Sequence, residues 1–108
     1  MIARIWRGRT PDHLADDYLT VLERTGLAEY RATEGNRGVL VLRRVADGVA
    51  EFAILTLWDS MDAVRRFAGD DPAVAKYYPE DADYLLEMVP SVEHHEVVWR
   101  DRIGSDGA

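Results

Sequence analysis

The stretch EFAILTLWDSMDAVRRF, residues 51–67, decides the fold. Residues 51–58 are mostly apolar and rich in strand formers, and they stop at Trp58. Asp59 and Ser60 follow at once, and both residue types cap helices well. Met61, Val64, Phe67 and Ala68 then recur at helical spacing until Gly69. A strand therefore runs straight into a helix, with a large indole at the joint. Trp58 is there either as the wall of a pocket or as a plug of the core.

Upstream, Asp47-Gly48 within ADGV is a strong two-residue hairpin signal. It predicts that VLVLRRV, residues 39–45, is a strand pairing antiparallel with residues 51–58. LAEYRATEGNRG, residues 27–38, reads as a loop with glycine turns. Residues 2–7 form a first strand. Thr10 is the expected cap of a helix over 11–25, with Pro11 at its first position and Asp12 in its first turn. Leu14, Tyr18, Val21 and Leu22 give that helix its apolar face, and Gly26 is expected to end it in the left-handed conformation.

Downstream, residues 70–90 are irregular, and short helical turns are expected near 72–77 and 80–86. SVEHHEVVW, residues 91–99, is the last strand, and residues 101–108 read as a flexible tail. The order β-α-β-β-α-β predicts an α+β, ferredoxin-like domain over residues 1–100, a four-stranded antiparallel sheet with its helices on one face.

A sheet covered on one side alternates apolar and polar residues. This one does not. Phe52, Ile54, Thr56 and Trp58 point one way, and Ala53, Leu55 and Leu57 the other. Helices cover one of these faces. The simplest cover for the second is another copy of the same sheet, so a homodimer through the open sheet face is expected.

The net charge is −7, from 13 basic and 20 acidic residues, with no basic stripe. That balance argues against nucleic acid as a partner. The chain has no cysteine, which removes thiol nucleophiles and Cys-ligated metal. The N-terminal MIARIWRGR has arginines in its first apolar stretch, unlike a signal peptide, and no apolar run is long enough for a membrane. A soluble cytoplasmic protein is the default expectation.

The strand order, the two-faced strands and LTLWDSMDAVRRF at residues 55–67 together resemble the antibiotic biosynthesis monooxygenase domain, a dimeric α/β-barrel. IWRGR, YRATEGNRG and YYPED look like an uncharacterised branch of it. The resemblance implies a cavity between sheet and helices and a small-molecule oxygenase. Such an enzyme needs O2 as co-substrate but no resident cofactor, and acts on a flat conjugated substrate. It also leaves open a non-catalytic module holding a metabolite or heme. The residues that oxidise aromatic polyketides in that family fall here on Ile54, Val64 and near Tyr78, so of that set Trp58 alone is kept. Those of its heme degraders fall near Trp6 or Arg7, on Phe67 and near Tyr77 or Tyr78, and none matches.

The candidate site is built from what remains. Trp58, Thr56 and Phe67 would line the cavity. His94 and His95 are adjacent on a strand and face opposite sides, which disfavours a shared metal, and no metal site is expected. His94 shares a face with Glu96 and is the candidate base, with structural hydrogen bonding as its alternative. Tyr77 and Tyr78 lie in the irregular segment and are candidate hydroxyl donors to the substrate. Arg4 and Trp6 share one face of the first strand. Arg4 there needs a carboxylate, from Glu96, Glu51 or a bound acid.

Overall fold

The structure, a computed structural model, describes residues 1–101; the remainder of the expected tail lies outside the described residues. Its strands are β1 (Ile2–Pro11), β2 (Asn36–Ala46), β3 (Val49–Trp58) and β4 (Glu93–Glu96). Its helices are α1 (Ala15–Arg24), α2 (Gly26–Ala32) and α3 (Met61–Ala68). Short 3-10 turns occupy Asp12–Leu14 and Pro79–Asp83. The sheet order is β2-β3-β1-β4, with every neighbouring pair antiparallel. This is the ferredoxin-like arrangement predicted from the element order.

Local chemistry explains the well-read parts. Asp47 and Gly48 both have positive φ, 53° and 78°, as a tight hairpin turn requires, and Ala46 sits opposite Val49. The Ser60 hydroxyl accepts a hydrogen bond from Ala63 N at 3.2 Å and so starts α3, which Gly69 ends at φ 94°.

The first third of the chain differs from its sequence reading. Thr10 does not cap a helix. It is buried in β1, opposite Ala50, and its hydroxyl donates to Pro11 O at 2.9 Å. β3 starts early enough, at Val49, for its ladder to hold β1 out to Pro11. Gly26 does not end a helix either; it begins α2, within the segment expected to be a loop. Tyr30, three residues after Leu27, carries the apolar face that anchors α2 to the core. The break between α1 and α2 falls at Thr25, whose hydroxyl bonds back to Val21 O at 2.7 Å.

The core lies between the helices and one face of the sheet. Tyr18, Val21 and Leu22 of α1, Tyr30 of α2, and Val64 and Phe67 of α3 meet Trp6, Phe52, Ile54 and Trp58 of the sheet. The other face carries Ile5, Leu40, Leu42, Ala53 and Leu55, with Leu40 and Leu42 exposed. A cleft of about 450 Å3 opens on this side, bordered by Arg7, Leu42, Arg44, Glu51, Ala53 and Glu87. It is on the opposite side of the sheet from Arg4, Trp58 and His94.

Gly8 bears directly on the interior. A Cβ there would sit 2.5 Å from Trp6 Cη2 and 3.0 Å from Leu85 Cδ2. Gly8→Ala therefore has to push the indole aside. A loss of about 1–3 kcal/mol is expected in urea unfolding, the usual range for overpacking. An unchanged midpoint would show that Trp6 moves freely.

Candidate functional site

β1 delivers Arg4 and Trp6 to the helix side by simple alternation. Arg4 lies opposite Thr56 on β3 and opposite His94 on β4. A row of three polar side chains thus crosses the interior face of the sheet, with Trp6 one step along it. Of the sequence candidates, the fold brings these four together, sets Phe67 above Arg4 and sets Tyr77 beside Trp6.

Arg4 is 1% exposed. Its Nη1 donates to the Tyr30 hydroxyl at 3.2 Å, and its Cζ lies 5.3 Å from the centre of the Phe67 ring. Its Nε and Nη2 have no protein partner among the described residues. The carboxylates proposed from sequence are committed elsewhere or turned away. Glu51 accepts from Arg44 at 2.7 Å and 3.0 Å, and Glu96 is exposed at the end of β4. A buried cation without a carboxylate costs several kcal/mol in real proteins, so this residue carries a standing electrostatic cost. Two further buried nitrogens nearby lack protein partners among the described residues, Trp6 Nε1 and His94 Nε2.

His94 is half-buried. Burial pulls its pKa below the usual 6.5, and the positive charges of Arg4 and His95 pull it further the same way. The sequence left open whether Glu96 or burial dominates; burial does. The imidazole is neutral at pH 7 and has a free nitrogen on the interior side.

Trp58 and Thr56 are placed differently from Arg4 and His94. Trp58 is fully buried, and its Nε1 donates to Thr56 Oγ1 at 2.8 Å. The Thr56 hydroxyl in turn donates to Arg4 O at 3.4 Å. The Trp58 ring centre lies 6.2 Å from Tyr30 and 5.9 Å from Phe67, and those two rings are 4.4 Å apart. These three rings form a contiguous stack between the sheet and α2 and α3.

The irregular segment 70–92 covers the row from the far side. Tyr77 meets Trp6 edge-on at 6.1 Å and donates to Val89 O at 2.5 Å. The Tyr78 hydroxyl donates to the Glu29 carboxylate of α2, which also pairs with Lys76. Lys76 Nζ reaches Phe67 O at 3.1 Å and stands 4.5 Å over the Phe67 ring. Burial raises the Glu29 pKa, but its bonds to Lys76 and Tyr78 outweigh that and hold it below the usual carboxylate range. Tyr78 is pushed far up, by burial first and by Glu29 second, and burial pushes Tyr77 up as well. Neither phenol ionises near neutrality, so both act as donors or walls.

Sequence reasoning missed Tyr30, Lys76, Glu29 and Asp81. Asp81 is buried and accepts from the Tyr18 hydroxyl at 3.1 Å and from Tyr78 N at 2.7 Å, which fastens the segment to α1. The Leu27–Tyr30 spacing was the readable signal for Tyr30. The ion pair and the Tyr18–Asp81 bond join segments far apart in the chain and left no local trace. Among the described residues, no three His, Asp or Glu side chains converge as metal ligands, and no helix is long and apolar enough to cross a membrane.

The fold has parallels among solved structures. A Bacillus cereus protein provisionally designated an antibiotic biosynthesis monooxygenase superposes with a TM-score of 0.60 at 17% identity, over 94% of this chain and 97% of that one. The heme degrader MhuD of Mycobacterium tuberculosis, with two hemes bound in its active site, gives 0.62 at 19% identity, over 94% and 100%. A mutant of MhuD with two manganese protoporphyrin IX per active site gives 0.58 at 19%, over 97% and 100%. The chain therefore has the antibiotic biosynthesis monooxygenase-like fold. Comparison of its sequence with family models and with curated proteins finds no match.

Proposed function

We propose that this protein is a cofactor-independent small-molecule oxygenase. Its substrate is flat, conjugated and acidic at carbon, held over Arg4, Trp6 and His94 beneath segment 70–92. The observation that carries this reading is His94 itself. It is a neutral base with a free buried nitrogen, set directly opposite a buried cation that has no carboxylate. His94 takes a proton from a substrate CH2, and the resulting anion is stabilised beside the Arg4 guanidinium. The carbanion gives one electron to O2, and the radical pair joins as a C–O bond, leaving a peroxide anion. The imidazolium returns its proton to that peroxide. Loss of the remaining C–H proton and of hydroxide from the O–O bond leaves a carbonyl and water, so CH2 plus O2 becomes C=O plus H2O.

Trp6, Phe67 and Tyr77 are the walls in this reading, with Thr56 and Trp58 behind them. Tyr78 positions the cover through Glu29, and Glu96 takes no part. An oxygen electrode with a panel of enolisable polycyclic acids tests it. Uptake of O2 matched by one carbonyl product per O2 supports the reading; substrate binding without O2 uptake removes it.

A second reading, a binding module without turnover, is favoured by the Trp58–Tyr30–Phe67 stack, which fills its part of the interior. Heme fits this chain poorly, because a porphyrin plane there has to displace those rings.

We also assign the open sheet face to a second copy of the chain, and the working protein to the cytoplasm. Leu40, Leu42, Ile5 and Leu55 make a contiguous apolar surface with an Arg and Glu rim at Arg7, Arg44 and Glu51. Such a self-complementary patch suits a twofold contact. Sedimentation at low micromolar concentration should give a dimer, and Leu42→Glu should give a folded monomer. A wild-type monomer would exclude the assembly.

A further inference from the structure

Arg4 raises a question that the oxygenase chemistry leaves unanswered. A carbanion needs stabilisation only briefly, yet the guanidinium is buried permanently with two nitrogens free. Tyr30 satisfies one of its nitrogens and its Cζ lies over the Phe67 ring, but neither neutralises its charge. Lys76, which also stands over the Phe67 ring, is neutralised by Glu29. Of the two buried charges among the described residues, Asp81 is bonded to the Tyr18 hydroxyl and Tyr78 N, while no carboxylate contacts Arg4. A free indole N–H two residues along the same strand face and a free imidazole nitrogen directly across the ladder accompany it. All three belong to strands rather than loops.

We infer that Arg4 and Trp6 form a subsite for a carboxylate carried by the ligand's conjugated ring system. A carboxylate supplies the missing charge and accepts the fork of two N–H donors that Arg4 presents through Nε and Nη2. The Trp6 indole donates a further hydrogen bond, or its ring lies against the ligand plane. The ligand class is thus an aromatic or polycyclic monocarboxylic acid, not a neutral quinone or hydrocarbon. The inference deepens the proposed interior site and rests on it.

Calorimetry with 2-naphthoate and its neutral isostere 2-naphthamide tests the subsite without needing the natural ligand. On the wild-type protein the carboxylate should bind at least tenfold more tightly than the amide. Arg4→Met should abolish that preference. Its ligand-free melting temperature should equal or exceed that of wild type, because a buried unpaired charge has been replaced by an apolar chain. Arg4→Lys keeps the charge but loses the planar fork, and should retain only part of the preference. Arg44→Met, on the open face, should leave the preference intact, which separates this subsite from the outer cleft. Equal binding of the two probes by wild type, binding of neither, or a preference lost in Arg44→Met each overturns the inference. If Arg4→Met does not fold, the wild-type comparison and Arg4→Lys still decide. Naphthoate binding without O2 consumption by any acid in the panel removes the oxygenase reading and leaves the subsite standing.

Discussion

Trp58→Ala should cost about 3–5 kcal/mol of stability, the usual range for truncating a fully buried aromatic. The indole is completely enclosed, contacts two other rings and donates its one N–H to Thr56. Its removal opens a hole beside Tyr30 and Phe67 and leaves the Thr56 hydroxyl without its donor. Trp58→Phe keeps most of the ring volume and should cost less, about 1–3 kcal/mol. Urea unfolding of the two variants gives both numbers. A loss under about 0.5 kcal/mol for alanine would mean that the site is already solvated, as a cavity wall would be. The sequence left Trp58 open between wall and plug. The structure sets it in the ring stack, next to the polar row rather than within it.

His94→Gln should lower turnover by about 10²–10⁴-fold, the usual contribution of a positioned general base. His95→Gln, on the opposite face, should leave turnover within a few-fold of wild type. In the wild type, kcat/KM should rise with pH through a single ionisation lying below pH 6.5, since burial, Arg4 and His95 all favour the neutral imidazole. The same shift affects stability. A folded pKa below the unfolded value means the unfolded chain binds the proton more readily. Stability contributed by neutral His94 is therefore full above pH 6.5 and falls as pH drops toward the folded pKa. His94→Gln should flatten that part of the acid limb. An unchanged limb and unchanged turnover would remove His94 from the site.

The architecture was legible because its signals are local. Asp47-Gly48 needs only its own positive φ values, and Ser60 needs only the N–H three residues on. The alternation that puts Arg4, Trp6 and Thr56 on one face is a property of strands alone. What was misread involved competition between local and distant interactions. Thr10 is a good cap in isolation, but the β3 ladder claims it as a strand residue. Gly26 is a good helix terminator, but Tyr30 has a core to enter, and α2 forms to put it there. Of the candidate site, the shared strand face of Arg4, Trp6 and Thr56 was legible and the cover over it was not. Nothing in YYPED shows that the Tyr78 hydroxyl turns to Glu29 or that Asp81 takes the Tyr18 hydroxyl. Glu51 was wrong as a partner for Arg4 for a related reason, since it belongs to the other face, where Arg44 holds it.

The most direct measurement is an NMR titration of the imidazoles of His94 and His95, in the free protein and with 2-naphthoate bound. In the free protein His94 should titrate below 6.5. A carboxylate docked on Arg4 places a negative charge near His94 and offsets the guanidinium, so the His94 pKa should rise on binding, with His95 little changed. A free His94 that titrates at or above 6.5, or one that does not respond to the bound carboxylate, would contradict a shared interior site for Arg4 and His94.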